Sequence, residues 1–401
     1  TRCSRDWSSD VCSSDLGAIF ASNKWNMHHG SRVAFADLAG RQTTWTGDRS
    51  EFIGRNGTAD NPATLAVAAP LSQRLGAGLD PCAALQTTIE LAGGSSQEIV
   101  FFLGQAASAA EARELIKRYR AADLASVHRD VVAFWQDMLG AVQVRTPDRA
   151  MDILLNGWLL YQSLACRYWG RSGFYQASGA YGFRDQLQDT MSFTVARPEL
   201  TRDHILRAAA QQFVEGDVLH WWFPIGGQGV RTHISDDKAW LATAVAHYIR
   251  TTGDAAVLDV SVPFVDGPTL RSSERDLYFQ PTRTEETASL FEHCARALDC
   301  SLQTGTHGLP LIGAGDWNDG MNRVGEAGRG ESVWLGWFLY AALTAFVPFA
   351  QSRGENQRAE NWSTHATALR SAQERESWDG GWYRRGYYDD GTPLGSAASE
   401  E

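Results

Sequence analysis

From Asp148 onward, apolar residues return at three- and four-residue steps, and this spacing constrains the chain more than any other feature. Ile153, Leu154, Trp158, Tyr161, Leu164 and Tyr168 mark one amphipathic helix. Trp240, Leu241, Ala244, Val245, Tyr248 and Ile249 mark a second, and Leu290, Cys294, Ala297 and Leu298 a third. Trp334, Leu335, Phe338 and Ala342 mark a fourth. Glycine-rich loops separate them, and no strand-like run of comparable strength intervenes. Helical hairpins in series predict an all-α array or a closed α/α barrel. No fixed-period repeat is present, which argues against a solenoid.

The first quarter of the chain reads differently. From Gly17 to about Gly104 short β-type runs alternate with Gly and Asn, as around Trp45, Phe52 and Ile53. Gln86–Leu91 alternates apolar and polar residues, Ala92–Ser96 reads as a turn, and Glu98–Leu103 as a second strand, together a hairpin. The stretch reads as the last part of a β-sandwich. Ala112, Leu115, Ile116 and Tyr119, then Val131, Phe134, Trp135 and Met138, predict two linker helices. Thr1–Leu16 repeats Ser-Ser-Asp without apolar periodicity and is set aside as an artefact. The expected organisation is thus 17–106 β-sandwich, 107–147 helical linker and 148–401 helical catalytic domain.

A net charge of -11 argues against nucleic-acid or anionic-membrane partners, which need a basic face. An acidic surface leaves a neutral sugar possible, and fifteen tryptophans can either fill a core or stack on pyranose rings. Cys82, Cys166, Cys294 and Cys300 sit in apolar company without metal or redox spacing and read as buried free thiols. Cys3 and Cys12 fall in the set-aside head. No apolar run is read as reaching the ~18 residues of a membrane span, no leader is read, and a cytoplasmic location is expected.

Polar, aromatic and glycine residues concentrate in three segments read as loops. One is Tyr181–Asp189. A second runs from Glu215 and Asp217 through His220, Trp221 and Trp222 to Arg231, His233, Ser235, Asp236 and Asp237. The third is Gly313–Gly320, in which Asp316, Trp317, Asn318 and Asp319 stand in a row. Glycoside cleavage needs an acid to protonate the departing oxygen, a nucleophile at the anomeric carbon and side chains that grip the sugar hydroxyls. The third loop supplies two acids, an indole and an amide between Gly315 and Gly320, which would allow a tight turn. Plainer readings stand beside these. Asp316 can cap a helix, Arg184 can pair structurally with Asp185, and Trp221 and Trp222 can be core. His28, His128, His204 and His293 read as ordinary residues. His220 and His233 lack a partner at metal spacing, so no metal site is predicted. No nucleotide-type phosphate loop is present, so any phosphate would be free and held by Arg and backbone groups.

Gly182–Asp189, Glu215-Gly216-Asp217 with His220-Trp221-Trp222, and Gly315–Asn322 resemble glycoside hydrolase family 94, the inverting phosphorylases of β-glucosides. Val33–Asp37 and Phe52–Gly57 look closest to its branch of cyclic β-1,2-glucan synthases and β-1,2-oligoglucan phosphorylases, and the resemblance spans Arg32–Glu401. It implies a β-sandwich, a helical linker and a six-hairpin α/α barrel, incomplete in this chain. It implies Asp319 as general acid, kept protonated by an apolar neighbour such as Trp317, with Trp317 lining the subsite of the sugar that is split off. Arg184 and Asp189 would hold hydroxyls of that sugar; Asp185, Asp316, Asn318, His220, Trp221, Trp222, Arg231 and Asp236 are further sugar-binding candidates. Inorganic phosphate would be co-substrate and nucleophile, with no cofactor, and a β-glucan oligosaccharide the partner. The family's phosphate pocket is completed by residues further downstream, so little activity is expected from this chain alone. A larger synthase at the inner membrane, or a homodimer, would be its setting. An inverting β-glucan hydrolase or an inactive glucan-binding module are the competing readings.

Overall fold

The computed structural model describes residues 16–26, 29–67, 69–76, 78–171, 179–271 and 274–399. His28, Cys3, Cys12 and nearly all of the set-aside head lie outside them. The chain forms two compact units, Thr1–Ala133 and Phe134–Glu401.

The first unit holds β1 (Ile19–Ser22), β2 (Val33–Asp37), β3 (Thr44–Asp48), β4 (Pro81–Gln86) and β5 (Phe102–Ala106). They make two antiparallel sheets, ordered β1-β2-β5 and β3-β4. The hairpin expected across Ala92–Ser96 does not form. Gln86–Leu91 and Glu98–Leu103 are largely outside strands, and β4 and β5 pair with β3 and β2 instead. The apolar residues that suggested it, Leu91, Phe101 and Leu103, are exposed, so no burial fixes their register. Helix α1 (Ala109–Ala121) starts at Ser108, whose hydroxyl accepts from Glu111 N, and lays Ala112 and Ile116 on Phe20, Val33 and Phe35. Arg120 donates to both oxygens of the fully buried Asp37, at 2.6 and 2.9 Å.

Helix α2 (Leu124–Gly140) is followed by a helical stretch from Arg149 to Trp169. That stretch is broken by π-turns and by Gly157 at non-helical angles. It buries Leu160, Leu164 and Tyr168 but leaves Ile153, Leu154, Trp158 and Tyr161 exposed, so only two of the six expected apolar positions, Leu164 and Tyr168, are in the core.

The segment Tyr181–Asp189, expected to be a loop, is a two-residue strand and a helix. Apolar periodicity alone hid it, because Arg184, Gln186 and Thr190 are buried beside Phe183 and Leu187. The helical elements are α3 (Phe183–Met191), α4 (Pro198–Ala209), α5 (Asp237–Thr252), α6 (Leu290–Asp299), α7 (Val333–Ser352) and α8 (Asn356–Ala372). Helix α5 packs against α3, α4, α6 and α7 and buries Ala239, Leu241, Ala244, Val245 and Tyr248, as a helix surrounded by others must. Helices α7 and α8 form a hairpin whose fully buried Trp362 donates to Asp299 Oδ1 at 2.7 Å.

Helix α7 corrects a second expectation. Its 20 residues, mean hydropathy 1.6, are long and apolar enough to cross a membrane, yet it buries Leu335, Leu339, Leu343 and Phe346 in the core of the unit. Of the two roles open to the tryptophans, core filling falls to few: among the described residues only Trp222, Trp240 and Trp362 are buried, while Trp317 and five others are exposed. Cys166 is exposed, not a core thiol, whereas Cys294 is buried.

Strands do occur between the helices. β6 (Tyr181–Gly182), β7 (Leu219–Trp222), β8 (Gly229–Thr232) and β10 (Asp276–Phe279) form one sheet in the order β10-β8-β7-β6. β9 (Ser261–Asp266) and β11 (Thr282–Ser289) form a second. The second expected loop is therefore largely a hairpin, β7–β8.

Candidate active site

Three backbone pairings bring the three segments together. Strand β6 pairs with β7, setting Gly182 opposite Trp221. This brings Arg184, in the first turn of α3, close to His220. Ile234 bridges to Gly313 and Gly315, and Ser235 N and Oγ both donate to Gly315 O at 2.9 and 3.0 Å. The start of α5, with Asp236 and Asp237, is thereby tied to the Asp316–Asp319 turn. The turn depends on Gly313 (φ 59°) and Gly315 (φ 152°), where a Cβ would meet His233 O at 2.1 Å and Ile234 Cδ1 at 3.0 Å. Gly320, expected to share that task, has no such backbone.

Arg184 is the centre of the cluster and is buried. Its Nη1 donates to Asp236 Oδ1 at 2.9 Å and to Asp316 O at 3.1 Å, and its Nη2 donates to Asp319 Oδ1 at 2.6 Å. Asp237 Oδ1 is 3.9 Å from Nη1, and Asp185 lies 3.7 Å from Nε. The guanidinium is thus shared among several carboxylates rather than paired with Asp185 alone. Trp317 is half exposed, its ring centroid 5.9 Å from the guanidinium, and its Nε1 donates to Gln188 Oε1 at 3.0 Å.

His220 stands between two carboxylates. Its Nδ1 is 2.7 Å from Asp237 Oδ2 and its Nε2 3.8 Å from Asp319 Oδ2. Burial alone would lower the imidazole's pKa, but Asp237 and Asp319 outweigh it and raise it to about 9. His220 is therefore an imidazolium at neutral pH. Burial, then the adjacent Asp237 carboxylate, pushes Asp236 up against the pull of Arg184. Asp319 itself is half exposed, and its contacts are a guanidinium and an imidazolium, not the indole that the sequence suggested.

Other candidates fall elsewhere. Asp316 is fully buried; its carboxylate takes Arg385 Nη2 at 2.5 and 2.7 Å, Ser332 Oγ at 2.5 Å and Asn318 N at 3.0 Å. It anchors the turn, caps no helix, and has no oxygen left for a sugar. Asn318 is exposed and its Oδ1 accepts from Gly320 N. Asp189 pairs with Arg167 at 2.9 Å, and burial raises its pKa to about 6 against that pair. Trp222 is core, packed on Tyr181 and Phe183. Trp221 packs edge-on to Phe223 and tilted against Tyr278. Arg231 is buried and bidentate to Asp217 at 2.6 and 2.7 Å, a structural fork away from Arg184. Asp237 and Gln188 stood within the singled-out segments without being taken as site residues, and Arg385 was missed.

Residues 134–401 match the family described as the glycosyl hydrolase 94 superfamily, catalytic domain, and residues 10–122 its supersandwich domain. The cyclic beta-(1,2)-glucan synthase NdvB of Rhizobium meliloti is 49% identical over 384 residues, covering 96% of this chain and 14% of the synthase. The 3-O-beta-D-glucopyranosyl-beta-D-glucuronide phosphorylase of Paenibacillus borealis is 30% identical, covering 80% of this chain and 40% of that protein. A 1,2-beta-oligoglucan phosphorylase of Listeria innocua is 27% identical over 48% of this chain and 18% of its own length. The chain spans less than half the length of each of these relatives.

Proposed function

The chain belongs to the glycosyl hydrolase 94 superfamily, and from that premise we propose that it serves the inverting phosphorolysis of a β-linked glucan, most simply β-1,2. The observation that carries the reading is Asp319 on Arg184 at 2.6 Å, beside the exposed indole of Trp317. Asp319 gives its proton to the glycosidic oxygen and the C1–O bond breaks. A phosphate oxygen bonds to C1 from the opposite face, giving α-glucose 1-phosphate and a shortened glucan. Arg184 and the His220 imidazolium then stabilise the carboxylate left on Asp319. Trp317 offers a flat apolar face to a pyranose.

An inverting hydrolase would need a second carboxylate free to activate water. Asp236 and Asp237, which face Arg184, are buried, and Asp185, 3.7 Å from Arg184 Nε, is partly exposed. Phosphate, already an anion, needs no such base. The β-1,2 linkage rests on the names of two relatives. The helical unit is read as part of an α/α barrel with the Asp319 turn at its mouth. The test is incubation with β-1,2-glucooligosaccharide with and without phosphate. Phosphate-dependent α-glucose 1-phosphate is expected; free glucose formed equally in both would overturn the reading.

A further inference from the structure

A cavity of about 520 Å³ is lined by Arg207, Gln211, Trp222, Phe223, Gln280 and Arg283 among others. None of its lining residues belongs to the Arg184–Asp319 cluster. In a chain of net charge -11, two guanidinium groups line this cavity and no carboxylate does. Arg207 donates to Tyr181 Oη at 2.8 Å and lies over the Tyr181 and Tyr168 rings, at 5.4 and 5.8 Å. Neither Arg207 nor Arg283 has an ion-pair partner among the described residues. Excess acid elsewhere on the surface has not been drawn to them.

Gln211 supplies an independent sign. Its residue is 9% exposed, and its backbone is engaged: N donates to Ala208 O, and O accepts from Leu219 N. Gln211 lines the cavity, and its side-chain amide is not among the sealed-off polar groups that lack a partner, so it stands open to bond a ligand. Trp222, Phe223, Pro224 and Pro281 give the lining an apolar share.

We propose that this cavity binds a phosphate monoester of a sugar. The two guanidinium groups are suited to the phosphate oxygens, which Arg binds in forks. The Gln211 and Gln280 amides supply donors and acceptors for hydroxyls, and the aromatic and proline wall takes the carbon skeleton. The volume falls within the ~300–1,000 Å³ of small-ligand pockets.

Titration calorimetry with glucose 6-phosphate tests this, since that ester is not the product of the reaction proposed above. Binding is expected in the wild-type chain. It should weaken about tenfold or more in Arg283→Gln, an exposed strand position, and in Gln211→Leu, as loss of a charge-assisted or buried hydrogen bond implies. It should be unchanged in Asp319→Asn, and inorganic phosphate should compete for it. Absence of binding, equal affinity in Arg283→Gln, failure of phosphate to compete, or glucose binding as tightly as its phosphate would each overturn the proposal. Activity toward β-glucan should be unaffected by Arg283→Gln, which separates this site's failure from that of the phosphorolysis reading.

Discussion

Arg184 Nη2 lies 2.6 Å from Asp319 Oδ1, although 135 positions of sequence separate the two residues. The same guanidinium reaches Asp236 and the Asp316 carbonyl. One side chain thus fixes three segments, and the position of Asp319 is set by the fold rather than by its own turn.

Arg184→Met should therefore destabilise the protein strongly. It would leave Asp236 buried without its counter-ion, beside an Asp237 that keeps only His220, and breaking such a buried pair costs about 3–5 kcal/mol. Arg184→Lys should recover only part of this, because an ammonium cannot fork toward Asp236 and Asp319 at once. Chemical-denaturation midpoints of the two variants measure the difference.

His220 links stability to alkaline pH. Its folded pKa, about 9, lies above the ordinary value of 6.5. Its contribution is complete below 6.5 and is lost as pH rises through about 9. Unfolding free energies followed from pH 6 to 10 should show wild type losing up to on the order of 3 kcal/mol relative to His220→Gln. Parallel curves for the two proteins would show that the Asp237–His220 contact carries no such coupling.

His204 acts in the opposite direction. Burial, with a smaller push from Arg207, lowers its pKa to about 3. Its two ring nitrogens make no hydrogen bond among the described residues, and the ring packs edge-on to Tyr168 and Tyr181. The neutral form's contribution is present above 6.5 and declines as pH falls toward 3. His204→Leu should lose less stability than wild type between pH 6 and 4 in thermal melts.

Trp317 is half exposed and holds little core. Trp317→Ala should leave the melting temperature within a few degrees of wild type while raising KM for glucan by about tenfold, as removal of a stacking platform of ~1 kcal/mol or more would. A large stability loss with unchanged KM would assign the indole to structure.

The helices after Asp148 with strong apolar periodicity were legible in the sequence, as were α1 and α2. Helix α3 was not, because its inward face carries Arg184, Gln186 and Thr190, and a buried polar face imitates a loop. Strands β7 and β8 were hidden for a related reason: they are four residues each and carry polar residues, His220 of the site and Arg231 in its fork with Asp217. Within the Asp316–Asp319 turn, composition singled out both acids but could not say which faces solvent. The Asp316 carboxylate is held by Arg385 and Ser332, partners far along the chain. Only the fold separates that anchor from the half-exposed Asp319.

The most direct test of the account is the product of β-1,2-glucooligosaccharide turnover, read by proton NMR of the anomeric centre, for wild type and Asp319→Asn. However slow the reaction, the account predicts α-glucose 1-phosphate only when phosphate is present, and a loss of about 10²–10⁴-fold in Asp319→Asn. Glucose formed without phosphate, or turnover unchanged by Asp319→Asn, would contradict it.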